Sequence, residues 1–203
     1  DRLTATKKVL SQAGPLRLDA ASALPLRDEV GTLLIDDIAA QRRRKIQHER
    51  DLGVPNNGFG TLPGAAPPAD SDKDGMPDTW ENATGSDSRR QDHNEPSSRG
   101  GFLPVGTGYT RLEEYLHFLA IPHCFVKPGE TVGIDLNRYA SGFRKPLVWS
   151  ATRPGAGTLA LDPSGTARFT APADGSGRSG FNFTVTDADG STWTQPFALL
   201  IAR

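Results

Sequence analysis

The chain has 203 residues, enough for one large domain or two small ones. Its 23 Lys+Arg and 24 Asp+Glu leave a net charge of −1, which argues against nucleic acid as a partner, because phosphate binding needs a basic excess. No run approaches the ~18 apolar residues that would span a membrane, and the single cysteine, Cys124, excludes an intramolecular disulfide and a Cys-rich zinc site.

Glycine and proline are more frequent than average, as in small all-β domains with many turns. The chain opens on Asp1 and its one methionine is Met76, so the expectation is a processed or larger precursor, with a signal peptide or an N-terminal region ahead of Asp1.

Residues 1–50 read as helical. Thr4 is the expected N-cap of a first helix, with Ala5, Val9 and Leu10 on one face and Gly14 as its stop. A second helix is expected from about Asp28 to Lys45, because Val30, Leu34 and Ile38 recur at helical spacing. It ends in Arg42-Arg43-Arg44-Lys45, cations that suit the negative end of a helix dipole and read as a solvated helix end. Residues 51–69 are punctuated by glycine and proline and read as a linker.

Residues 70–120 carry the chemistry. Asp70 to Glu81 reads DSDKDGMPDTWE and fits the 12-residue calcium loop of an EF-hand. Asp70, Asp72 and Asp74 stand at positions 1, 3 and 5, and Gly75 at the sharp turn of position 6. Met76 would offer its backbone carbonyl, Asp78 would bind directly or through water, and Glu81 would supply both carboxylate oxygens. Without a cation these acids repel one another; a hard ion that takes 6–8 oxygens gathers them. Pro77 suits the first turn of a short exit helix that Gly85 ends, whereas Pro67 and Pro68 leave no entering helix. The expected ion is Ca²⁺ rather than Mg²⁺, which prefers fewer protein ligands.

A second loop ending at Glu114 retains Gly108 and Tyr109 but has Leu103, Val105 and Thr107 where acids belong, so it is not expected to bind calcium by itself. Asp87, Asp92 and Glu95 lie near enough to assist, although no spacing supports them. Thr110 to Glu113 has the capping-box pattern, and Leu112, Tyr115, Leu116 and Leu119 continue it as a helical stripe.

From residue 121 to 203 the period becomes two. Val132, Ile134 and Leu136 alternate with polar residues, as do Phe181, Phe183 and Val185. Trp193, Phe197, Leu199 and Ile201 mark a last strand, after a hairpin at Asp189-Gly190. Short strands at this spacing read as an immunoglobulin-type β-sandwich. The fold class expected is therefore α+β in several regions: helices in 1–50, a linker in 51–69, an EF-hand-like calcium region in 70–120 and an Ig-like antiparallel sandwich in 121–203.

Other reactive residues read as structural. His48, His93, His117 and His123 are scattered, Cys124 reads as a buried inert thiol, and Trp80, Trp149 and Trp193 read as core rather than as sugar platforms.

Asp70–Glu81, followed by Gly108-Tyr109-Thr110-Arg111-Leu112-Glu113-Glu114-Tyr115-Leu116, resembles the C-terminal region of bacterial secreted pectate lyases and their relatives. Leu3-Thr4-Ala5, Val9-Leu10, Ala13-Gly14 and Pro25-Leu26-Arg27-Asp28 resemble the segment that follows the parallel β-helix in that family. The resemblance implies a secreted, bacterial, extracellular or cell-surface protein. It implies an N-terminal β-helix region or subunit as neighbour, and polysaccharide as a possible partner. The family's acidic second loop is absent here, and so is its catalytic β-helix, so no catalytic residue carries over. The expected role is a non-catalytic, calcium-stabilised accessory region. The alternatives are a carbohydrate-binding module and a structural or adhesive extracellular component.

Overall fold

The structure is a computed structural model that describes residues 1–97 and 108–203. Its helices are α1 (Arg2–Gln12), α2 (Glu29–Ala39), α3 (Asp78–Thr84) and α4 (Arg111–Ala120). Its strands are β1 (His123–Val126), β2 (Thr131–Asp135), β3 (Val148–Ala151), β4 (Thr158–Leu161), β5 (Thr166–Thr170), β6 (Gly177–Thr186) and β7 (Thr192–Ile201).

Two sheets face each other, one ordered β1-β7-β6-β3 and the other β2-β5-β4. All pairings are antiparallel except β1 with β7, which run parallel, so the sandwich is not uniformly antiparallel as the sequence suggests. A parallel partner comes from far along the chain, and its pairing leaves no local signature. The β6–β7 hairpin is the longest ladder, from Gly177 opposite Ile201 to Thr186 opposite Thr192. It turns at the expected dipeptide, with Gly190 at φ +77° and its N–H donated to the Asp187 carbonyl. Alternation places Phe181, Phe183, Phe197 and Leu199 in the core with Ile134 and Phe169. Leu136 is buried there too, from a 3-10 turn (Leu136–Tyr139) rather than a strand.

Strand β7 departs from alternation at its end, where residues 197–201 are all buried. Ala198 and Leu200, together with Ala202 just beyond the strand, face a second apolar cluster formed by Met76, Trp80 and Ala83 around α3 and by Phe118 of α4. Thus α3 and α4 form a layer on the outer face of this sheet, and β7 is sandwiched between two cores.

The N-terminal segment docks at the other end. The cap of α1 is Asp1, whose carboxylate accepts the Thr4 N–H (2.8 Å) and hydroxyl (2.9 Å); Thr4 lies inside the helix. The face that α1 buries is polar. Lys7 and Ser11 are buried while Val9 is exposed, because Lys7 reaches Asp187, Asp189 (2.9 Å) and Ser191 (3.0 Å) at the β6–β7 turn. Contact here is backbone-close: a Cβ on Gly142 would stand 2.4 Å from the Lys7 carbonyl oxygen. Further on, Leu18 and Ala20 exchange backbone hydrogen bonds with His123, and the Arg138 guanidinium donates to the carbonyls of Arg17 and Leu24.

Helix α2 stops at Ala39, six residues short of the expected end at Lys45. Gln41 adopts φ +52°, and the Arg42 N–H donates to the Asp37 carbonyl, which closes the helix in a Schellman-type turn. Arg42 and Arg44 then fold back onto the Asp37 carboxylate, the buried side chain of α2. Leu34 and Ile38 are exposed. Within the glycine- and proline-punctuated stretch, Glu49–Leu52 and Asn56–Gly58 form 3-10 turns, and residues 60–70 carry no regular structure.

Candidate metal centre

The loop is curled by its own acids. Asp70 accepts the N–H groups of Lys73 (2.8 Å), Asp74 (3.3 Å) and Gly75 (3.1 Å). Asp72 accepts the Asp74 N–H (3.2 Å), and Asp74 Oδ1 accepts that of Met76 (3.0 Å). Such side-chain-to-backbone bonds replace a regular ladder and fold alternate residues toward one centre. Gly75, at φ +95°, makes the turn that a side chain would strain. No helix enters the loop; α3 leaves it and ends at Gly85 in the left-handed conformation.

Asp70, Asp72 and Asp74 each bring a carboxylate oxygen within 4.8 Å of the others. A second group, Asp74, Glu81 and Asp92, does the same and is buried throughout. Four of the predicted acids, Asp70, Asp72, Asp74 and Glu81, therefore converge through the shared Asp74. Asp78 is in neither group; its carboxylate accepts the Ser71 N–H (2.8 Å) and hydroxyl (2.7 Å) and closes the base of the loop. The Met76 side chain is fully buried in the second apolar cluster and anchors the loop to β7.

The electrostatics are unbalanced at the centre. Glu81 is 0% exposed, and neither of its carboxylate oxygens has a hydrogen-bond partner among the described residues. Buried oxygens of Asp72 (Oδ2) and Asp92 (Oδ1) are likewise unpartnered. Burial, then the charges of Asp72, Asp74 and Asp92, push the Glu81 carboxyl up to about 8. Burial and the Asp74 charge also raise that of Asp72. The guanidinium groups meet this knot at Asp92. Arg111 donates to Asp92 Oδ2, and both Arg111 (3.0 Å) and Arg90 (2.5 Å) hold Glu95. All donors at the centre are oxygens, a set that fits a hard cation such as calcium.

Sequence reasoning left Asp92 unsupported. It arrives because Asp74 Oδ2 accepts the N–H groups of both Asp92 and His93 (3.1 Å each). No periodic signal marks such a return of the chain. Asp87 and Glu95, named with it, pair with Arg90 instead.

In the degenerate second loop, Leu103, Val105 and Thr107 lie outside the described residues. Glu114 is fully buried, and its carboxylate takes the Ser97 hydroxyl (2.6 Å) and the Arg178 guanidinium (2.7 Å) from β6. Arg178 also lies over the Trp80 ring, 5.8 Å from its centroid. Elsewhere, Cys124 is buried and its thiol is pushed up to about 12 by burial.

The sandwich defines the class of this part of the chain. A family model of the bacterial Ig domain matches residues 126–199, from the end of β1 into β7. The C-terminal region is a bacterial Ig-like domain. A search of curated proteins returned no match. Among solved structures, a nucleoside hydrolase-related hypothetical protein from Saccharophagus degradans, described as associated with carbohydrate metabolism, is 16% identical. The match covers 57% of this chain and 28% of that one, with a TM-score of 0.31, too slight a likeness to bear on fold or function.

Proposed function

We propose that this chain is a calcium-stabilised accessory region of an extracellular bacterial protein, in which one ion locks the α3–α4 layer onto the Ig-like sandwich. The observation that carries the reading is Glu81: a fully buried carboxylate with both oxygens unpartnered among the described residues, beside Asp74 and Asp92. An uncompensated buried acid is costly, and a divalent cation removes the cost. Asp70, Asp72, Asp74 and Glu81 hold the ion, with the Met76 carbonyl and, through water, Asp78.

The location is supported by the Ig-like domain, a class often extracellular or surface-exposed; no described helix is long and apolar enough to cross a membrane. The resemblance of most of residues 1–120 to the region after the β-helix of secreted pectate lyases supports a β-helix neighbour acting on polysaccharide, with this chain non-catalytic. A sugar-binding role for the sandwich itself has less support, because of its two tryptophans Trp193 is buried and Trp149 packs against the core.

Thermal unfolding tests the ion. Millimolar calcium is expected to raise the melting temperature above that in EDTA, and Asp74→Ala to abolish the difference. Identical melting of the native chain in calcium and EDTA refutes the reading. The intact mass of the native protein tests the β-helix neighbour.

A further inference from the structure

Asp92 lies outside the calcium loop, eleven residues beyond Glu81. Its two carboxylate oxygens have different surroundings. Oδ2 accepts from Arg111, from Arg90 (3.4 Å) and from the Asp87 N–H (3.1 Å). Oδ1 is buried and has no partner among the described residues. An Asp92 oxygen lies within 4.8 Å of oxygens of both Asp74 and Glu81. The residue as a whole is 1% exposed, so bulk solvent does not reach the free oxygen.

We infer that Asp92 is a direct ligand of the same ion, and that Arg111 is a positioning residue that grips one oxygen so that the other faces the metal. This rests on the calcium reading above. The site is then built from two segments, the 70–81 loop and the turn around residue 92, rather than from one contiguous loop. Arg111 is the first residue of α4, so ion binding reaches that helix directly. One more oxygen donor also favours calcium, which takes 6–8, over magnesium, which keeps to octahedral geometry.

Terbium(III) luminescence sensitised by Trp80 tests this, with lifetimes in H₂O and D₂O counting the waters on the ion. The native chain is expected to bind terbium. Asp92→Ala should gain about one bound water, lose about tenfold or more in affinity, and discriminate less between calcium and magnesium. Wild-type affinity or an unchanged water count in Asp92→Ala would overturn the inference while leaving the calcium reading intact. Absence of terbium binding by the native chain would overturn both. If near-ultraviolet circular dichroism shows Asp92→Ala unfolded, Arg111→Gln is read instead. It keeps the ligand, and should weaken binding by about 10-fold or more, with partial rescue in Arg111→Lys. Wild-type affinity in Arg111→Gln, or no rescue by lysine, counts against the inference.

Discussion

Leu200 is the residue on which the joint between the α3–α4 layer and the sandwich can be tested most directly. It is 0% exposed and projects from β7 away from the sandwich core, into the cluster of Met76, Trp80 and Phe118. Truncation to alanine removes a fully buried apolar group and leaves a cavity between two layers, at a cost of about 3–5 kcal/mol. For a chain of this length that is a fall in melting temperature of roughly 6–20 °C. Leu199→Ala, on the opposite face of the same strand and equally buried, provides the control. The two variants should lose similar stability in different ways. Leu199→Ala lowers a single transition. Leu200→Ala uncouples the layer, so that far-ultraviolet circular dichroism resolves an earlier transition whose midpoint moves with calcium. The assay is a pair of melts, in calcium and in EDTA, at equal protein concentration. If Leu200→Ala melts within about 1 kcal/mol of the native chain, or if both variants give the same calcium response, the second core does not join the two parts as described.

Three further outcomes are expected. Gly142→Ala places a Cβ 2.4 Å from the Lys7 carbonyl oxygen, so α1 must shift, at about 1–3 kcal/mol, and its amides should exchange faster with deuterium than in the native chain. Burial raises the Asp187 carboxyl, but the Lys7 ammonium and the N–H groups of Arg144, Ser191 and Asp189 outweigh it and hold the group at about 2. A lowered acid stabilises the fold above its unfolded value, near 3.8, and loses that stabilisation as pH falls through about 2. Asp187→Asn should therefore flatten the decline in melting temperature between about pH 4 and 2 relative to the native chain. Finally, the buried Cys124 thiol, pushed up to about 12, should resist a disulfide reagent at pH 8 until denaturant is added; rapid labelling of the folded chain would contradict its burial.

The features legible in the sequence are those set by hydrogen bonds over a few residues or by alternation along one strand. The acids of 70–81 curl their own loop, so their spacing announces it. Thr110 and Glu113 cap α4 reciprocally, as their separation implies. Phe181, Phe183 and Val185 alternate because one face of β6 is buried, the two phenylalanines in the sandwich core and Val185 against Phe143 and Trp193.

Tertiary structure decided the rest. Trp193, Phe197, Leu199 and Ile201 mark a last strand by alternation, but only the α3–α4 layer shows that Ala198 and Leu200 on its other face are buried as well. The polar buried face of α1 exists because Lys7 meets acids some 180 residues away, against which helical periodicity has no say. Asp92 joins the buried acidic cluster because Asp74 draws its backbone back across the loop. In each case the decisive partner is remote in the chain, and the free energy of that contact depends on a distance that no local pattern encodes.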